Sequence, residues 1–264
     1  MKLTSIADLE VQGALALEGL AQELSKLYDS FLDDFPENGE DREPGVHATE
    51  LNTCMRQVVY TLWQTSKRGL VDRMWRKKFQ VGHALHDMLQ THFAMMAARS
   101  NGRLTFEKEV RVQDTPLGRE LCLASSCDGT FTFWENQLPL VRVGVELKSK
   151  SPEEYAKLKA PEEKHVQQAH LYMAALDLPL VWFLYWNKGK EQFTPSLKPY
   201  LVRFDHTIWA RLEARARMSL DFAEQGKLPD PEVSMSCQWC QYAWTCNPPV
   251  ERQTRVLTPI TGRR

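Results

Sequence analysis

The sequence predicts an α/β fold, a central sheet with helices packed against it. Three observations lead there. The apolar, largely β-branched run from Leu140 to Val145 reads as a buried central strand. Strand-like runs alternate with helix-like ones from residue 46 onward. The chain has 264 residues, 43% hydrophobic and 25% charged, which is ordinary globular composition and enough for one sizeable core.

Composition also excludes several classes. The formal net charge is -1, so any nucleic-acid site must arise from local arrangement rather than a basic surface overall. No apolar run approaches the roughly 20 residues of a membrane span. Met1-Lys2-Leu3-Thr4-Ser5 lacks a signal peptide's apolar core and cleavage site. The expectation is a soluble cytoplasmic protein in a reducing compartment. Its six cysteines are then metal ligands or free thiols rather than disulfides.

Residues 8 to 32 carry leucines at helical spacing, Leu15, Leu17, Leu20, Leu24 and Leu27 among them, and an acidic linker with breakers runs from Asp33 to Gly45. Thr49 or Asn52 can cap a helix reaching Trp63, with Cys54 in its first turn. There the helix dipole favours a thiolate. A basic helix follows, with Lys67, Arg68, Arg73, Arg76, Lys77 and Lys78 interleaved with Trp75 and Phe79. A solvated face is the ordinary meaning of such a stretch, and a phosphate-contacting surface the sharper one. The same helix continues through Gly82, His86 and Phe93.

Strands are expected at Leu104 to Val112 and Glu120 to Ser126, separated by a turn at Gln113 to Gly118, and another starts at Cys127. Asp128-Gly129 is a common hairpin corner. Pro152 opens a short helix, and Pro161 a longer one to about Asp177, on which Gln168 and Tyr172 share a face. Leu180 to Trp186 and Lys198 to Phe204 read as strands, and residues 205 to 226 as an amphipathic helix ending at Gly226.

Two stretches carry chemistry. In Val145-Glu146-Leu147-Lys148, strand alternation points Glu146 and Lys148 one way and Leu147 the other. Two charges on a buried strand are costly unless used or paired, and an isolated pair of this kind is most often a strand-end salt bridge. The tail holds Cys237-x-x-Cys240 and Cys246, three thiols in ten residues. A metal site usually takes four. Cys54 is the best fourth, because Cys122 and Cys127 fall in a β segment. Zinc and an iron–sulfur cluster both accept four cysteines, and the spacing does not separate them.

Taken in order, Gly82-x-x-x-His86, Asp128, Glu146-x-Lys148 and Gln168-x-x-x-Tyr172 resemble the motifs of the RecB-like branch of the PD-(D/E)XK nucleases. An upstream cysteine with a C-terminal C-x-x-C-x5-C is similar to that branch's iron–sulfur members, the CRISPR-associated exonucleases and the nuclease domains of AddB-type helicase–nucleases. The stretch from Cys54-Met55-Arg56 to Tyr60 resembles the first-cysteine segment of these proteins. The resemblance covers residues 46 to 250. It leaves 1–45 as a helical arm and acidic linker, whose role is not carried over, and 251–264 as a basic tail. One departure is Ser125, standing where many relatives carry glycine three residues before the aspartate.

The resemblance implies a restriction-endonuclease-like mixed sheet flanked by helices, with Cys54, Cys237, Cys240 and Cys246 holding a [4Fe–4S] cluster, zinc being the alternative, that joins the N- and C-terminal segments. It implies Mg²⁺ or Mn²⁺ on His86, Asp128, Glu146 and the Leu147 carbonyl. Lys148 would position or deprotonate the attacking water, with Gln168 and Tyr172 orienting Lys148 or the phosphate. The implied activity is hydrolysis of DNA from single-stranded ends, in repair, recombination or phage DNA metabolism, with Arg73, Arg76, Lys77 and Lys78 guiding the strand. Two alternatives stand beside it. One is a nuclease-fold assembly module that works only within a larger complex, with the N-terminal arm as its docking element. The other is a structure-specific endonuclease.

Overall fold

The computed structural model describes residues 44–68, 73–189 and 197–246, without the side chains of 73–79. Nearly all of the arm and linker, the basic tail, and the side chains of Arg73, Arg76, Lys77 and Lys78 lie outside the described residues. The chain divides into two compact units, residues 1–42 with 70–81, and 43–69 with 82–264. Of the first, only the opening turns of one helix are described. The second carries the sheet, the rest of that helix and every other element.

In chain order the elements are α1 (Ala48–Leu51), α2 (Met55–Leu62), α3 (Arg73–Ala98), β1 (Leu104–Arg111), α4 (Pro116–Glu120), β2 (Ser126–Glu135), β3 (Leu138–Lys150), α5 (Pro152–Lys157), α6 (Glu163–Leu176), β4 (Leu180–Asn187), β5 (Leu197–Arg203) and α7 (His206–Glu224). A 3-10 turn, Met235–Trp239, follows. The sheet has five strands in the order β1-β2-β3-β4-β5. β3 and β4 are parallel, with Val143 opposite Leu180, and α5 and α6 lie in the connection between them. The other neighbours are antiparallel. The fold is therefore α/β with a mixed sheet, as expected.

Both faces of the sheet are covered, and β4 displays the alternation. Val181, Phe183 and Tyr185 enter a core shared with Tyr172 and Met173 of α6 and Leu212 and Ala216 of α7. Leu184 enters the opposite core, with Trp182 and Trp186 packed against it, beside Leu89 and Phe93 of α3. On β3, Val145 and Leu147 join the α3 side. Glu146 and Lys148 consequently face α6.

Local chemistry sets the helix ends. Ser151 and Glu154 form a capping box at α5, with Pro152 in the first turn. Asp177 closes α6 in the left-handed conformation, and Asp205 caps α7 by accepting from the Thr207 N–H.

Two expectations, and the ordinary turn meaning of Asp128-Gly129, are corrected. The strand at Glu120 to Ser126 is absent. Thr115 caps α4 by accepting from the Gly118 N–H at 2.9 Å, Pro116 starts the helix, and only Leu123 makes an isolated bridge, to Val46. Asp128-Gly129 is not a corner but lies within β2, where Gly129 pairs with Val145. The single helix expected around Cys54 is split into α1 and α2. Cys54 is the extended N-cap of α2 (φ -160°) rather than a member of its first turn.

The break between α1 and α2 is tied to the C-terminal segment. Arg215 of α7 donates to the Leu51 carbonyl (3.0 Å) and grips both oxygens of Glu232 (2.7 and 2.9 Å). Glu232 in turn accepts from the Met55 N–H (2.6 Å). Burial opposes ionisation of Glu232, but Arg215 and the Met55 N–H outweigh it and hold the carboxyl below its usual value.

Two predictions follow from this architecture. A Cβ on Gly118 would lie 1.9 Å from the Val112 carbonyl oxygen, so Gly118→Ala should destabilise by about 1–3 kcal/mol in urea unfolding. A depressed folded-state pKa contributes stability above the unfolded glutamate value of about 4.3 and loses it as pH falls through the folded value. Glu232→Gln should therefore lower the melting temperature at pH 7. The gap to wild type should narrow below about pH 4; a gap that stays constant with pH would refute the assignment.

Candidate active site

The β2–β3 ladder ends at Gly129–Val145, and Asp128 and Glu146 come next in register, just past the last pair. Asp128 turns its carboxylate to the vacated edge of β3, where Oδ2 accepts from the Leu147 N–H at 2.6 Å. Its Oδ1 lies 3.5 Å from Nδ1 of His86, on α3. Glu146, 1% exposed, forms an ion pair with Lys148 through one oxygen and accepts from the Tyr172 hydroxyl of α6 through the other. The side chains of His86, Asp128 and Lys148 retain 26%, 15% and 24% exposure, so the site opens to solvent on that side, with Glu146 as its floor.

The electrostatics separate the two carboxylates. Burial pushes Glu146 up, and the Asp128 charge adds to this, so Lys148 and Tyr172 only partly compensate. Burial would raise Asp128 too, but His86, Lys148 and the Leu147 N–H bring it below the usual carboxylate range. Lys148 is raised: burial opposes its charge, and Glu146 and Asp128 more than restore it. His86 is raised by Asp128 against the cost of burial.

Of the residues the sequence singled out, the structure brings together His86, Asp128, Glu146, Leu147, Lys148 and Tyr172. Gln168 sits one turn before Tyr172 on α6, half-buried, and makes no hydrogen bond to the site among the described residues. Three features escaped the sequence reading. Gln90, one turn after His86 on α3, donates to the Asp128 carbonyl (2.7 Å). Lys150 pairs with Glu162 on the Lys148 face, and His165 Nδ1 lies 2.9 Å from the Tyr185 hydroxyl. Burial, and then the Lys148 charge, push His165 down to about 3, so its ring is neutral. The clues were periodic: Lys150 is two residues past Lys148 on a strand, and Gln90 four past His86 on a helix.

Cys127 is fully buried behind the site, its thiol donating to the Gly129 and Val145 carbonyls (3.1 and 3.4 Å), and burial pushes its pKa up. Cys122 is exposed in a turn.

Cys54, Cys240 and Cys246 lie near one another where the C-terminal segment meets α2. Tyr60 stacks on Tyr242 at 5.2 Å, the Thr61 and Tyr242 hydroxyls are 2.9 Å apart, and Arg68 lies 3.9 Å over the Trp244 ring. Gln57 donates to Cys240 Sγ (3.1 Å), Arg56 to Cys246 Sγ (3.7 Å) and the Ser234 N–H to Cys237 Sγ (3.4 Å). Burial raises the Cys240 thiol, and Cys246 and Cys54 lie near enough to add to this by charge.

Metal donors are present in two chemical classes, hard oxygens with an imidazole at the sheet and thiols at the C-terminal segment. Among the described residues no three His, Cys, Asp or Glu side chains stand close enough together to hold an ion as arranged. At the sheet the carboxylate oxygens are engaged by Lys148, Tyr172, His86 and the Leu147 N–H. No helix among the described residues is long and apolar enough to cross a membrane.

No protein-family model matches the chain, and no curated protein matches it. Solved structures of similar outline include SSO0001, at 15% identity over 87% of this chain and 97% of that one, with a TM-score of 0.46. An alkaline exonuclease from Laribacter hongkongensis is 14% identical over 70% of this chain and 90% of that one, TM-score 0.47. The same enzyme in complex with dAMP gives 13% over 71% and 91%, TM-score 0.47.

Tyr172 is fully buried, so Tyr172→Phe leaves a buried Glu146 oxygen without its donor. It should cost about 1–3 kcal/mol in urea unfolding; a neutral substitution would show that this bond does not hold the carboxylate.

Proposed function

We propose that this chain is a metal-dependent deoxyribonuclease that hydrolyses phosphodiester bonds from single-stranded DNA ends. The reading rests on one observation: Asp128, Glu146 and Lys148, from the ends of two adjacent strands, converge at a partly open site and leave an ammonium beside two carboxylates of unequal acidity. Such a set suits a reaction in which an anionic phosphate gains further charge.

A divalent ion of the Mg²⁺ or Mn²⁺ class, held by Asp128 and Glu146 with His86 and the Leu147 carbonyl, would acidify a water and neutralise the phosphate. The imidazole favours Mn²⁺. Lys148, kept protonated by the two carboxylates, presents its N–H donors to the scissile phosphate and offsets charge there. Tyr172 fixes one oxygen of Glu146, and the Leu147 N–H fixes one of Asp128, so both carboxylates face the substrate preorganised. Cys54, Cys237, Cys240 and Cys246 are proposed to hold a [4Fe–4S] cluster, with zinc as the alternative, that ties α2 to the C-terminal segment. Iron, sulfide and zinc analysis of anaerobically purified protein decides between them.

The test is digestion of linear single-stranded DNA beside covalently closed single-stranded circles, under anaerobic conditions with Mn²⁺. Degradation of the linear strand alone is expected, with Lys148→Ala reduced by about 10²- to 10³-fold. Equal cutting of circles would make the enzyme an endonuclease. Failure to cut either would overturn the nuclease reading.

A further inference from the structure

The ladder between β1 and β2 has a fault beside the site. Lys108 pairs with Gly129 and Val110 with Cys127, which sets Glu109 opposite Asp128, yet those two residues do not pair. Glu109 is the reason: its φ is +52°, a left-handed conformation that a non-glycine residue adopts at a cost and that turns its backbone out of the ladder. The Asp128 carbonyl thereby loses its strand partner and needs another donor.

Gln90 supplies it. Its side chain is 1% exposed, and the one nitrogen, Nε2, donates to the Asp128 carbonyl (2.7 Å) and to Glu109 Oε1 (2.6 Å). Glu109 is held from its other side by the Ser126 hydroxyl (3.3 Å). Both contacts of Gln90 are to acceptors, so its amide orientation is determined: the reverse flip would aim Oε1 at two oxygens. The Gln90 Oε1 atom is buried without a partner among the described residues, so this amide spends its donor capacity on the fault at the expense of its own acceptor.

We propose that Gln90 is a positioning residue for Asp128, pinning that residue's main chain to helix α3 so that its carboxylate meets His86 and the Leu147 N–H. His86 and Gln90 are four residues apart on one helix face. One takes the side chain of Asp128 and the other its backbone, so α3 fixes both ends of the residue. The inference rests on the nuclease reading for its catalytic consequence, but its structural content is independent of it.

Gln90→Met keeps the length and removes the donor. It should lower kcat on single-stranded DNA by about 10- to 100-fold while leaving KM within about twofold, as expected of a misplaced reacting group. Gln90→Lys restores an N–H donor facing Glu109 and should recover most of the loss. Equal loss in both variants would assign Gln90 to packing and overturn the proposal. A second readout does not depend on activity: the amide resonance of Leu147, which reports its bond to Asp128, should move in Gln90→Met in the same direction as in Asp128→Asn. An unmoved Leu147 amide overturns the proposal even if activity falls. A moved one with an inactive wild-type protein upholds the positioning role and removes the nuclease reading instead. Should Gln90→Met fail to fold, the wild-type protein decides. The side-chain amide protons of Gln90 should exchange slowly with solvent, and fast exchange overturns the proposal.

Discussion

A carboxylate as deeply buried as that of Glu146 has to be answered within the protein, and the arrangement around it follows from that demand. Lys148 answers with charge from the same strand face, and Tyr172 with a hydroxyl from α6. Both require β3 to lie flat under α6, which the parallel partner β4 secures through continuous pairing to Lys150–Asn187. On the other side β2 stops pairing at Gly129, and the freed edge gives Asp128 its place. Support on one side and release on the other bring two carboxylates and an ammonium together.

The frame around this centre is held by a different set of contacts. The gap between α1 and α2 leaves a carbonyl and an N–H that α7 and the C-terminal segment satisfy, through Arg215 and Glu232. The aromatic contacts of Tyr60 and Arg68 extend the same junction toward Cys240 and Cys246. Helices α2 and α7 thus belong to the outer layer of one core, and Cys240 and Cys246 sit at its rim rather than at the sheet.

Much of this was legible in the sequence because periodicity carries direction. The shared face of Glu146 and Lys148 follows from strand alternation, and the approach of Tyr172 from a helix that must pack on that face. The misreadings have local causes. At Thr115-Pro116 a good cap and a good first residue made a helix where a turn was expected, and the apolar run after it was left with one isolated bridge instead of a strand. Asp128-Gly129 looked like a corner because those residue types favour turns. The glycine is instead needed where the Phe106 ring closes over β2, 2.5 Å from where a Cβ would be. Spacing placed Gln90 on the His86 face of α3, but its role was not legible. Its importance depends on the left-handed Glu109 across the sheet, and no spacing rule connects helix residue 90 to strand residue 109.

Cys127 lends the molecule a built-in clock. Its thiol is sealed between two main-chain carbonyls directly behind the acidic floor, whereas Cys122 stands in solvent. A thiol-specific reagent meets Cys122 at once, but it reaches Cys127 only when the core between the sheet and α6 opens. In a variant lacking Cys54, which is also buried, the slow phase of labelling times the opening of this region itself. A bound ion or strand that clamps the two carboxylates would stretch that interval, so occupancy can be read from a chemical modification in the core that the sheet shares with α6.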